Sequence, residues 1–126
     1  MIVLDTDVLI EILDRRSVKG DEALRKISEK SQDIAITVIN LHEVLYGLAK
    51  YAKPVREVLL LPVLDFTKAD AELSAELELK AERSGTPVRR TDAMIAAITI
   101  NRGASLYTFD LKHFNVLRDF GLKLFP

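Results

Sequence analysis

Several carboxylates in this 126-residue sequence stand where they can do chemistry together. The strand-forming run Ile2-Val3-Leu4 ends abruptly in Asp5 and Asp7, with the hydroxyl of Thr6 between them. Glu43 lies on a helical stretch, opposite the apolar stripe Leu41, Val44, Leu45 and Leu48. Asp92 opens a strongly apolar run, and Asp110 follows the strand-like segment ASLYTF, two residues after Thr108. Taken singly each has a plain explanation. Asp5 or Asp7, Asp92 and Asp110 stand where a helix begins, and an Asp N-cap is worth about 1 kcal/mol. Glu43 alone fits a solvated helix face.

The joint arrangement asks for more. Carboxylates brought within about 4 Å repel by roughly 4 kcal/mol per pair at an effective dielectric of 20, so a stable domain gathers them only around a cation. There are no cysteines and only two histidines, which removes thiolate sites and disfavours zinc. Hard oxygen donors suit magnesium or manganese, and the chemistry such a centre supports is hydrolysis of a phosphodiester by a metal-activated water. Arg89 and Arg90 immediately precede Thr91-Asp92. Guanidiniums there would meet nucleic-acid phosphates, although a solvated loop explains them equally well. Lys112 and His113 flank Asp110 in the same way, while His42 reads as a surface residue.

The elements that must position these groups alternate between β and α. Strands are expected at 2–5, at 33–38 (DIAITV), within LLPVLDF where Pro62 favours a beginning or an edge, at ASLYTF and at GLKLF. Helices are expected at 7–14, 20–30 and 39–51, briefly after Pro54, at 68–84 and at 92–102, with DLKHF as a single turn. In the 68–84 helix Ala69, Leu73, Leu77 and Ala81 fall four apart, and Gly85 with Pro87 ends it. Residues 92–102 are apolar on nearly every side, the mark of a helix buried between layers. Alternation of this kind predicts one α/β domain over 1–126 with a parallel sheet, whose ligands bind beyond the carboxyl ends of the strands where strand order reverses.

Bulk composition agrees with a soluble, cytoplasmic reading. Hydrophobic residues make up 48% and charged residues 29%, no apolar run reaches the ~20 residues of a membrane span, and Asp5 and Asp7 interrupt the N-terminal apolar stretch before it could form a leader. The net charge of −1 supplies no overall field for nucleic acid, so such binding must be local.

Four motifs in order, LDTDVLI, INLHEVLYGL, GTPVRRTDAMIAA and LYTFDLKHF, make the chain resemble the PIN-domain ribonucleases of the VapC toxin type over essentially its whole length. The resemblance implies a three-layer fold with a five-stranded parallel sheet of order 3-2-1-4-5 covered by helices on both faces. It also implies an acidic magnesium or manganese site formed by Asp5, Glu43, Asp92 and Asp110. Its implied partners are an RNA substrate, a small VapB-type antitoxin and a second copy of the chain in a homodimer. Tyr46, Leu48, Tyr51 and the 55–61 run would supply apolar interface, or equally core. Position 7 departs from the pattern, which commonly has a small polar residue such as Asn or Ser there. Asp7 is read as a cap or a supporting acceptor before a direct ligand, and Thr6 and Thr108 as supporting hydroxyls or plain turn caps.

Other readings compete. The opening Asp-Thr-Asp superficially fits a haloacid-dehalogenase-like phosphatase, whose first Asp is a covalent nucleophile, but Leu9 stands where that motif expects Thr or Val, and Glu43 and Asp92 would have no role. A solitary RNA-processing nuclease, or an inactive RNA-binding module, would share the fold. The intact set of four acids argues against the inactive form.

Overall fold

A computed structural model describes residues 1–126. Strand β1 (Ile2–Leu4) is followed by α1 (Thr6–Leu9), which runs on into a π-helical turn, Ile10–Arg15; a break at Arg16-Ser17 separates it from α2 (Val18–Lys30). Then come β2 (Ile34–Thr37), α3 (Val38–Lys50), the short α4 (Arg56–Leu59) and β3 (Val63–Leu64). The second half holds α5 (Lys68–Arg83), α6 (Arg90–Asn101), β4 (Ser105–Tyr107), α7 (Leu111–Phe114) and a 3₁₀ segment, Asn115–Phe120.

The strands lie in the order β3-β2-β1-β4 and all pair in parallel. The expected fifth strand is reduced to one parallel bridge, Leu106 to Leu124, on the far side of β4. The Leu106 N–H donates to the Lys123 carbonyl and the Phe125 N–H to the Leu106 carbonyl. The turn at Gly121, with φ of +110°, brings this segment to the sheet for a single rung. The 3-2-1-4-5 order is therefore kept, with four strands and a bridge in place of five strands.

β1 shows how the layers are built. Side chains alternate across a strand, so Val3 packs into the core under α5 and α6, with Leu77, Ala81, Ala93, Ala96 and Phe114. Ile2 and Leu4 face the opposite core, with Val8, Leu9, Ile27, Val44 and Val58. The strand is buried on both faces, as expected where helices cover a parallel sheet. In α6, Ala93, Ala96 and Ala97 are fully buried, and these small side chains let the helix lie close to its neighbours.

Three element readings are corrected. The expected 7–14 helix starts at Thr6 and widens into the π turn after Leu9. Against that turn Gly20 packs so closely that a Cβ would collide with the Glu11 carbonyl. Strand LLPVLDF contracts to Val63–Leu64, because Pro62 lacks an N–H and serves only through its carbonyl, which accepts from Ile36. On α5 the inward face is Asp70, Ser74, Leu77 and Ala81, while Ala69 is exposed. Asp70 turns inward because Asn101 and Arg102, at the end of α6, donate to it at 2.7 and 3.2 Å.

Candidate active site

Order reverses between β1 and β4, and both strands end beside each other there: the Asp5 N–H donates to the Tyr107 carbonyl at 2.9 Å. Asp5 is the first residue past β1 and is buried. It caps α1 through Thr6, whose N–H donates to Oδ1 at 2.9 Å. Thr108, just past β4, donates its hydroxyl to Oδ2 at 2.7 Å, and Asn40 Nδ2 donates to Oδ1 at 3.0 Å. One carboxylate thus ties together β1, β4 and α3.

Burial raises the Asp5 pKa from 3.8 to about 6, with the charges of Asp7 and Asp92 adding and the Thr108 and Thr6 hydrogen bonds opposing. A carboxylate that its surroundings disfavour as an anion is one that gains from a nearby cation.

Asn40 is the residue that sequence reasoning missed. It is fully buried on the first turn of α3. Its Oδ1 accepts from the Thr37 N–H and hydroxyl, which fixes the amide so that Nδ2 faces Asp5 and the Thr6 hydroxyl, 3.1 Å away. The signal was available: Asn40 stands four residues before buried Val44, a polar residue on the inward stripe, and Thr37 with Asn40 has capping-box spacing.

Glu43 is one turn further along α3. It is exposed, yet Oε1 accepts from the Thr6 hydroxyl at 2.9 Å, so Asn40, Thr6 and Glu43 form one chain of contacts leading back to Asp5. Asp7 does not cap α1. Its carboxylate crosses to the other strand end and accepts from the Phe109 N–H at 3.1 Å. Burial raises the Asp7 pKa, the Phe109 hydrogen bond lowers it, and the Asp110 charge raises it further.

Asp92 is not the N-cap of α6, which begins at Arg90 and has Arg89 at the cap position without a side-chain cap bond. Asp92 is buried inside the first turn. Asp110 caps α7, and both its oxygens lie within 2.7 Å of His113 Nδ1. The Asp110 N–H donates to the Thr108 hydroxyl at 3.0 Å, so that hydroxyl serves Asp5 and Asp110 together. Arg89 closes the gap between the two later acids, with Nε 2.9 Å from Asp92 Oδ2 and Nη2 3.3 Å from Asp110 Oδ2.

Arg90 turns away from this cluster and pairs with Glu78 on α5, through Nε and Nη2 at 3.1 Å each. Lys112 is exposed and lines a groove of about 820 Å³ with Thr86, Asn115, Arg118 and Lys123. His42 is exposed, and Tyr46, Tyr51, Leu59 and Leu60 are exposed apolar residues rather than core.

No three of these side chains close tightly enough to form a ready-made metal cage. The donor set nevertheless suits a hard divalent cation: carboxylates only, two of them buried, with the charge of Asp92 acting to raise the Asp5 pKa.

A model of the PIN domain matches residues 2–118, and the chain belongs to this family. Among curated relatives it is 28% identical to the tRNA(fMet)-specific endonuclease VapC of Salmonella typhimurium, over 89% of this chain and 88% of that one. It is also 28% identical to ribonuclease VapC1 of Methanocaldococcus jannaschii, over 98% and 86% of the two chains. Among solved structures it resembles VapBC2 from Rickettsia felis bound to a promoter DNA fragment, with a TM-score of 0.82, 26% identity and 99% and 98% coverage. DNA-bound VapBC from Salmonella typhimurium gives a TM-score of 0.78 with 26% identity, over 98% of this chain and 96% of that one.

Proposed function

We propose that this chain is a VapC-type endoribonuclease, the toxin of a VapBC pair, which hydrolyses RNA phosphodiesters with magnesium or manganese held by Asp5, Glu43, Asp92 and Asp110. The observation that carries the reading is the buried Asp5 at the strand-order reversal of a PIN fold, held there by Thr108 and Asn40 and disfavoured as an anion by its own burial. When bound, the metal supplies a water of lowered pKa and a Lewis acid toward the phosphate.

The chain's own residues prepare that chemistry. Thr108, Asn40 and the Thr6 N–H hold Asp5 in one orientation, and the Thr6 hydroxyl holds Glu43. Asp7 fixes the backbone that carries Asp110, through Phe109. Arg89 at the rim, and Lys112 along the neighbouring groove, are the cations offered to RNA phosphates. Arg90, committed to Glu78, serves the α5–α6 contact instead.

The antitoxin is proposed to lie in the groove of about 740 Å³ lined by Leu9, Leu13, Val44, Leu48 and Tyr51, which runs up to Glu43. The single PIN domain is proposed to act as a cytoplasmic homodimer; no helix is long and apolar enough to cross a membrane.

The test is RNA cleavage with magnesium or manganese titrated, for wild type and Asp5→Asn, with folding checked by circular dichroism. Metal-dependent cleavage abolished by Asp5→Asn is expected. Folded protein that cleaves no RNA with either metal, or cleaves equally with Asn at position 5, rejects the nuclease reading.

A further inference from the structure

Arg89 and Arg90 are neighbours with opposite commitments. Arg90 holds α5 through both oxygens of Glu78, and Arg89 is left to the acidic cluster. One guanidinium there bridges Asp92 and Asp110, which come from different elements. The Glu43 carboxylate also acts on it, in the same direction as Asp92 and Asp110. The Arg89 side chain is 61% exposed, while that of Asp92 is only 6% exposed. It therefore meets carboxylates on one side and water on the other, on a long stem that starts from an N-cap position where it makes no cap bond.

A monovalent cation in that place does two things. It offsets the negative charge that Asp92 and Asp110 bring together from different elements, beside the His113 ring already on Asp110, and it repels a divalent ion approaching the same oxygens. A guanidinium and a divalent metal cannot both sit between Asp92 and Asp110 without a large like-charge cost.

We propose that Arg89 is the built-in counter-cation of the acidic site, bridging Asp92 and Asp110 in the metal-free protein, and that a divalent metal takes these carboxylates by displacing it. This rests on the acidic-site reading above and adds a positioning residue to it. Arg89 keeps Asp92 and Asp110 together before metal arrives and sets how tightly metal is held. Once displaced, the guanidinium stands free at the rim, where an RNA phosphate would accept it, so metal loading and substrate binding favour the same movement of one side chain.

The test uses Mn²⁺ alone, titrated calorimetrically into metal-free wild type, Arg89→Ala and Arg89→Lys, with thermal melting in chelator as a second readout. Arg89→Ala is expected to melt a few degrees below wild type in chelator, and to bind Mn²⁺ about tenfold tighter. Lys retains the charge without the fork and is expected to fall between the two in both measurements. If Arg89→Ala binds Mn²⁺ no tighter than wild type, the counter-cation role is overturned while the acidic site stands. If wild type binds no Mn²⁺, both are overturned. Should Arg89→Ala fail to fold, Arg89→Lys carries the same comparison, and affinity equal to or weaker than wild type overturns the role.

Discussion

The Asp7 carboxylate accepts the backbone N–H of Phe109 at 3.1 Å, joining the end of β1 to the segment after β4 across almost the full length of the chain. This contact lies one residue from Asp110 and two from Asp5, so it sets how far apart two of the candidate metal-binding acids stand. The same charge acts on Asp5 to raise its pKa. Asp7 therefore helps the site as an acceptor and opposes the ionised form of Asp5 as an anion.

Those two effects separate by substitution. Asp7→Asn keeps a carbonyl oxygen for the Phe109 N–H and removes the charge, whereas Asp7→Ala loses both. The Asn variant is expected to fold with near wild-type stability and to show a lower Asp5 titration midpoint by carboxyl-carbon NMR. The Ala variant is expected to lose about 1 kcal/mol in urea unfolding and several-fold in RNA cleavage. Equal behaviour of the two variants would count against a positioning role for Asp7.

Asp5 gives the metal-free protein a pH dependence of definite sign. Its pKa is 3.8 ordinarily and about 6 in the fold, so between these values the folded state holds a proton that the unfolded chain has released. That contribution is fully present below about pH 4 and is lost as pH rises through about 6, to a limit of about 3 kcal/mol. Asp5→Asn carries no such charge. In chelator its melting temperature should gain on wild type as pH is raised from 4 to 7 and then level off. A difference that stays flat over this range would contradict the raised pKa.

How much of this was legible follows from what each residue depends on. Asp5, Asp92 and Asp110 stood out because each lies where the hydrophobic pattern changes period, and the parallel sheet follows from the same alternation. Glu43, mid-helix on a polar face, was legible only through the INLHEVLYGL motif of the family resemblance. Asn40 and the separate commitments of Arg89 and Arg90 depend on which side chains arrive opposite, a tertiary fact that adjacent letters do not carry. Local register misled in smaller ways. Asp92 looked like a cap because its apolar run begins there, yet Arg90-Thr91 extends α6 by a half-turn, with Arg89 at the cap position. GLKLF has a strand's composition but meets β4 at a single bridge.

Asp70 makes the opposite pH prediction. It is fully buried. Burial acts to raise its pKa, but hydrogen bonds from Thr67, Asn101 and Arg102 together hold it below the ordinary carboxylate value. Stability from this group is present above about pH 4 and lost as pH falls through its lower folded value. Asp70→Ala strands the Asn101 amide and the Thr67 N–H and is expected to cost about 2 kcal/mol or more at neutral pH. The cost should shrink in acid, measured as the difference in unfolding free energy between variant and wild type at pH 7 and at pH 3.

Asn40 offers the sharpest division between folding and chemistry, because its two polar atoms serve different groups. Oδ1 takes the Thr37 N–H and hydroxyl that begin α3, and Nδ2 supports Asp5 and Thr6. Asn40→Ala removes both and leaves buried polar groups without partners, for an expected loss of about 2 kcal/mol in stability together with cleavage. Asn40→Asp keeps the acceptor for Thr37 and turns an oxygen toward Asp5 in place of a donor. The capping function should persist while a buried like charge raises the Asp5 pKa further, so the acidic limb of the cleavage–pH profile should move to higher pH. A profile unchanged in Asn40→Asp would mean that the amide does not help hold Asp5 in its ionised form.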